Sequence, residues 1–310
     1  MTLDKRYFDY PHRSYGMDHD LYDWSMLADR PPIEWPGGKP MALWVNVALQ
    51  YFPLDQQGKP FPPPGGMTTA YPDLRHYTLR DYGNRVGVYR IFRALDTYGV
   101  TASCAMSARL AERAPYLLKR VVERGHELLC HGWDMDTPHY GGMDRDEEAE
   151  IIGRSLQVLR DASGQPVRGW LSPGKSQSDN TPGLLVEHGV EFMADWINDD
   201  LPYGFRTPRG EITNLPLSTE LEDRFIIMAN GHSEAEYADQ IMDAFDFLLD
   251  EARQDGGRLL ALNLHPWMLG QPHRIGALER ALDHIMAQGE VWSAAPSAIR
   301  SAWADQQLSE

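Results

Sequence analysis

Residues 258–266, RLLALNLHP, decide how this chain folds. A run this rich in apolar residues, interrupted only by Asn263 between Leu259 and Leu264, reads as the clearest strand of the chain. It stops at a histidine followed by proline. Upstream, Gly256–Gly257 closes a helix that Ser233 and Glu236 open with a capping-box pattern. Downstream come a helical pattern over 275–288, the short strand VWS and a last helix near 298–304. The same alternation runs back through the chain. MALWVNVAL (41–49), TASCAM (101–106) and HELLC (126–130) read as strands, and 84–98, 108–124 and 144–163 carry helical spacing, with Asn180, Thr181 and Pro182 opening a further helix. Helices alternating with short apolar strands imply a mainly parallel sheet covered by helices, an α/β fold in one domain. Residues 51–81, including FPPPGG, read as a long loop of the functional kind. Residues 1–40 are rich in Pro, Tyr, Trp and Asp and lack periodicity. They are expected to form an arm on the domain 41–310 or on a neighbouring subunit.

The chain has 310 residues, 42% of them hydrophobic, with nine tryptophans, enough for a large core. Its formal charge of −16 argues against nucleic acid and anionic membrane surfaces as partners. Cys104 and Cys130 each sit in an apolar run and read as buried free thiols. No stretch has the apolar length to span a bilayer, and the first twenty residues lack the apolar core of a secretory signal, so a cytoplasmic protein is expected. Phosphate-loop, nucleophile-elbow and zinc-protease motifs are absent.

Parallel strands present ligands at their carboxyl ends. Distinctive polar residues stand there: Gln50 after the first strand, His131 after HELLC, Asp199 and Asp200 after FMADWI, His265 after LLALNL. A carboxylate beside an imidazole favours its charged form, and a charged imidazole can protonate a leaving nitrogen. His131, Asp134, Asp136 and His139 cluster in CHGWDMDTPHYGG. Such a group can ligate a divalent metal, although its spacing matches no strong metal signature. Glu220, Glu222 and Asp223 in STELEDR read as acidic surface.

Several blocks in order resemble the polysaccharide deacetylase (NodB-homology) family: RDYGNRVGVYRIFRALDTYGV (80–100), RGHELLCHGW (124–133), RGWLSPG (168–174), NDDLPY (198–203) and LNLHPWMLGQPHRI (262–275). Within the family they are most similar to the branch holding metal-independent allantoinase and peptidoglycan deacetylase-like proteins. The resemblance covers residues 40–300 or so and implies a distorted, incomplete (β/α) barrel. It also implies an aspartate pair after the first strand, two metal-binding histidines, an arginine in the third motif, and an aspartate supporting a general-acid histidine. This chain departs from that pattern. Gln50, Tyr51 and Phe52 stand where carboxylates belong, Met135 stands four residues after His131, and Leu171 replaces the arginine.

The resemblance therefore implies a hydrolase of non-peptide carbon–nitrogen bonds that opens a small cyclic amide, imide or ureide. His265 is its expected general acid, Asp199 the residue holding the imidazole ring, and His131 the residue positioning water, with Asp134 or Asp136 as base. Gln50, Arg85 (or Arg80), Trp133 and Asp200 are the expected substrate contacts. No cofactor is expected; were a divalent metal such as zinc used, His131, Asp136 and His139 are its candidate ligands. A metal-dependent deacetylase of an N-acetylated sugar and a silent binding protein on the same fold are the alternatives. The expected partners are a small-molecule substrate and further copies of the chain in a homo-oligomer.

Overall fold

The computed structural model describes residues 19–56 and 73–307. The chain runs through β1 (Met41–Leu49), α1 (Leu74–Tyr82), α2 (Val88–Tyr98), β2 (Ala102–Met106), α3 (Ala108–Arg113), α4 (Pro115–Glu123) and β3 (Glu127–Cys130). It continues through α5 (Arg145–Ser163), β4 (Gly169–Trp170), α6 (Thr181–Glu187), β5 (Phe192–Met193), β6 (Tyr203–Thr207) and β7 (Gly210–Asn214). It ends with α7 (Glu234–Asp255), β8 (Arg258–Leu264), α8 (Ile275–Ala287), β9 (Val291–Ser293) and α9 (Pro296–Gln307). The strands form one sheet in the order β6-β7-β5-β4-β3-β2-β1-β8, with β9 pairing β1 below β2. Every pair is parallel except the hairpin β6–β7. The sheet curls into a distorted, incomplete (β/α) barrel.

Curling gives the sheet two buried faces, which is why β1 and β8 show no alternation in sequence. Side chains on successive strand residues point to opposite faces. Val45, Val47, Leu49, Cys104, Met106, Leu260, Leu262 and Leu264 pack outward against the helices. Ala42, Trp44, Ala105, Leu129, Phe192, Leu259 and Ala261 pack inward. Gly169 is needed on this inner face, because a side chain there would collide with the Phe192 ring. Ile33 and Trp35 join the inner core, with Trp35 Nε1 donating to the Arg258 carbonyl at 2.9 Å. The described part of the arm thus contributes to the barrel interior. Tyr22 packs its ring against Trp196, Tyr203 and Phe205. Tyr7, Phe8, Tyr10 and Tyr15 lie outside the described residues.

Three expectations change. The loop expected over 51–81 ends early, since α1 begins at Leu74 with the Asp73 side chain accepting from the His76 N–H; FPPPGG lies outside the described residues. The helix expected from 84 is the second half of a longer one, joined to α1 through a π-turn at Gly83–Gly87. Pro115 divides the helix expected over 108–124, because proline cannot supply the hydrogen bond that continues a helix through it. The hairpin β6–β7 and the π-turn Arg224–Ala229 add to the expected elements. Cys104 and Cys130 are free and buried. Among the described residues no helix is long and apolar enough to cross a membrane.

Candidate active site

The inward-facing parity of β1, β3, β4 and β8 delivers the residue after each strand to one cavity at their carboxyl ends, and Asp195, two residues beyond β5, joins them. Gln50 follows β1, His131 follows β3, Leu171 follows β4, Asp195 follows β5 and His265 follows β8; all line a cavity of about 320 Å³. Beneath it a buried polar chain crosses the barrel interior. Trp44 Nε1 donates to Ser103 Oγ, Ser103 Oγ to Asn46 Oδ1, and Asn46 Nδ2 to Asn263 Oδ1, each at 2.8 Å. Asn263 Nδ2 then reaches Glu222 Oε2 at 3.3 Å. Every member has a partner, so the chain is tolerated inside an apolar barrel.

His265 is clamped by Asp223. Its ring Nδ1 and its own backbone N–H each donate to one Asp223 oxygen at 2.7 Å. That fixes the tautomer and leaves Nε2 for the cavity, 3.8 Å from Glu222 Oε1. Burial pushes the Asp223 carboxyl up against the opposing pull of His265. Burial also raises Glu222, but His265, Lys175 and Arg224 together outweigh it and hold that carboxyl below its usual range. Arg224 Nε donates to Glu222 Oε1 at 3.0 Å. Lys175 Nζ lies 3.8 Å from Glu222 Oε2 and donates to the Leu217 carbonyl and Thr219 Oγ1.

The turn that carries His265 is held by close packing. A side chain on Gly83 would lie 2.6 Å from the Trp267 backbone nitrogen, and one on Gly87 would collide with the Pro266 carbonyl. Gly83 and Gly87, four residues apart on the π-turn, therefore let it seat directly on the HPWMLG turn. Asn84, between them, donates from Nδ2 to the Gln50 carbonyl at 2.8 Å. One helical turn thus fixes both the β1 and the β8 ends of the site. Asp195 performs the same service for the loop after β4, accepting from Ser172 N, Ser172 Oγ and Gln177 Nε2.

His131 is wholly buried, and its Nδ1 donates to the Leu171 carbonyl at 2.6 Å. Burial lowers its pKa to about 4, so the ring is neutral at pH 7. Its Nε2 is left as an acceptor, 3.4 Å from Gln50 Nε2. The positions that the resemblance gives to metal ligands therefore hold an amide (Gln50), one neutral imidazole (His131) and a buried thioether (Met135). Among the described residues no three His, Cys, Asp or Glu converge as a metal-binding group. This donor set does not fit the family's divalent metal, which needs carboxylate and paired imidazole ligands.

Several expected site residues stand elsewhere. Asp199 does not hold His265. It forms a two-point ion pair with Arg30 of the arm at 2.7 and 2.8 Å, lining a separate surface hollow. The supporting carboxylate is Asp223, in the acidic segment expected at the surface. Asp200 is exposed and lies outside the cavity lining. Arg85 has a side chain 75% exposed and pairs with Asp81 one helical turn away. Trp133 carries the Arg154 guanidinium on its ring, away from the cavity. Asp134, the other expected base, pairs with Arg109 at 2.8 Å and, like Asp136, is outside the lining. His139 is buried against Glu148 at 2.9 Å and does not meet His131 over a shared centre. Sequence reasoning missed Asp223, Glu222 and Asp195 as site residues and gave Arg80 second place to Arg85. No local sequence signal marked Asp223, because the segment STELEDR that carries it has the composition of a solvated loop.

Residues 76–193 match the family model described as polysaccharide deacetylase. A protein of Schizosaccharomyces pombe, assigned by name to the polysaccharide deacetylases, is 26% identical over 287 residues, 86% of each chain. The crystal structure of a probable polysaccharide deacetylase from Pseudomonas aeruginosa PAO1 shares the fold with a TM-score of 0.80 at 24% identity, covering 88% of this chain and 94% of that one. The crystal structure of PuuE allantoinase shares it with a TM-score of 0.81 at 24% identity, covering 91% and 97%. Residues 76–193 therefore resemble a polysaccharide deacetylase domain, and the chain as a whole is similar to proteins named for that activity. Deacetylases of this kind are hydrolases of carbon–nitrogen bonds other than peptide bonds, and that is the class of chemistry the similarity points to.

Proposed function

We propose that this site opens the ring of a small cyclic amide, imide or ureide, with His265 as its acid–base residue and no resident metal. The observation that carries the reading is the two-point clamp of Asp223 on His265, facing a cavity whose family metal positions hold Gln50, His131 and Met135. A cavity of about 320 Å³ suits a small ring better than a polymer chain. The neutral His131 Nε2 accepts a hydrogen bond, which a ring N–H can donate. Water adds to the ring carbonyl while His265 Nε2 takes its proton. The carbon–nitrogen bond then breaks, and the same proton passes from Nε2 to the departing nitrogen. Asp223 and Glu222 stabilise the imidazolium between the two steps, as a buried aspartate does in hydrolytic triads. Lys175 and Arg224 supply positive charge toward the developing oxyanion.

A second reading, deacetylation of an N-acetylated sugar, draws on the family model and on the name of the S. pombe relative. One panel separates them: hydantoin, dihydrouracil, succinimide and allantoin against an N-acetylglucosamine oligomer, each with and without chelator. Ring opening that survives chelator supports the first reading. Acetate release that needs a metal supports the second.

A further inference from the structure

Arg80 has no part in the proton transfers, and its surroundings are unusual. Its residue is 4% exposed, yet it lines the cavity. Its Nε and Nη1 have no hydrogen-bond partner, and no carboxylate pairs with it among the described residues. The guanidinium carbon lies 3.6 Å from the centre of the Trp267 ring and 4.8 Å from that of Phe52. Aromatic faces attract a cation, but they leave its N–H groups unsatisfied. The other cations of the cavity are countered: Arg224 and Lys175 both face Glu222. Burial, with some help from Arg224, lowers Arg80 to about 9, which still leaves it charged at pH 7. A buried charge without a counter-ion is among the most costly features a fold can carry. It persists where a ligand supplies the missing partner.

We propose that Arg80 is the receptor for an anionic group on the substrate, and that the ligand of this cavity is a small ring amide, imide or ureide bearing a carboxylate. The ring part of this inference rests on the function proposed above; the anion part rests on Arg80 alone. The planar fork of the guanidinium matches a carboxylate with two parallel hydrogen bonds. Trp267 connects that group to the chemistry, because its ring touches the Arg80 guanidinium and stands edge-on to the His265 ring with centroids 5.7 Å apart. The carboxylate therefore belongs close to the bond that breaks.

The test is calorimetric titration of the full chain with matched pairs: dihydroorotate beside dihydrouracil, hydantoin-5-acetate beside hydantoin, and acetate as a bare anion. In wild type the charged member of each pair binds about tenfold tighter or better, the range for a charge-assisted hydrogen bond. In Arg80→Met that preference disappears while the free protein melts no lower, because an unpaired buried charge has been removed. Arg80→Lys carries the same test if Arg80→Met does not fold; it keeps the charge, loses the fork, and is expected to lose most of the preference. Equal binding of charged and uncharged members, no binding by any probe, or a preference unchanged in both variants overturns the proposal. Turnover is scored separately. Charged rings that bind through Arg80 and are never hydrolysed remove the hydrolase reading and leave this one standing. Uncharged rings that are hydrolysed with no Arg80-dependent preference do the reverse.

Discussion

Asp223 holds His265 at two points, one carboxylate oxygen on the ring Nδ1–H and the other on the residue's own backbone N–H, both at 2.7 Å. The pair fixes ring orientation and tautomer together, so Nε2 can only face the cavity. Asp223→Asn keeps the shape but replaces one acceptor with a donor, which opposes Nδ1–H. We expect kcat to fall about 100-fold or more, in the range for a misplaced acid–base histidine. Asp199→Asn, which loses only the ion pair with Arg30, is expected to leave kcat within about twofold of wild type, since a partly exposed pair contributes little. Steady-state kinetics on the two variants checks both statements; a reversed pattern would return the supporting role to Asp199.

His131 makes a prediction about pH. Its folded pKa of about 4 lies below the ordinary value of 6.5 because burial disfavours the charged ring. Between those two values the unfolded chain binds a proton that the folded chain does not. Stability from this residue is therefore complete above pH 6.5 and is lost as pH falls toward 4, by about 3 kcal/mol in total. Denaturant melts of wild type and His131→Asn from pH 7.5 to 4.5 should show a shallower acid slope in the variant. Parallel slopes would mean that His131 titrates normally.

The contact between the π-turn and the HPWMLG turn predicts a structural lesion with a catalytic signature. A methyl on Gly87 has no room against the Pro266 carbonyl. Gly87→Ala must push that turn, and His265 with it, away from Asp223. Overpacking of this kind costs about 1–3 kcal/mol. The expected variant melts several degrees lower and loses more kcat than its stability alone accounts for. Unchanged kcat at a temperature where the variant is fully folded would show that the turn can move without disturbing the site.

The barrel was readable because its strands are short, apolar and capped by turn residues, and because His131 and His265 come directly after such runs. The alternation that would separate inner from outer side chains was not readable, since both faces of β1 and β8 are buried. Asp223 was hidden for another reason. It reaches His265 across 42 residues of chain from a segment, STELEDR, whose composition is that of a solvated loop. No local pattern distinguishes a carboxylate in water from one folded under a barrel rim. Asp199 misled for the converse reason: it follows a strand-like run but turns outward to Arg30, while Asp195, four residues earlier, is the residue at the strand end. Arg80 was named only as the alternative to Arg85, at the end of a stretch read as loop; the helix that carries it and the packing of Phe52 and Trp267 against it arise from tertiary structure.

The central claim is that His265 opens a ring carbon–nitrogen bond without a resident metal. Its most direct measurement is the initial rate of ring opening by wild type and His265→Ala across the ring panel, after exhaustive chelation and again with zinc restored. The account predicts turnover that chelation leaves unchanged and that His265→Ala reduces about 100-fold or more, with the variant still folded. Turnover abolished by chelator and recovered with zinc, or a full kcat in His265→Ala, would contradict it.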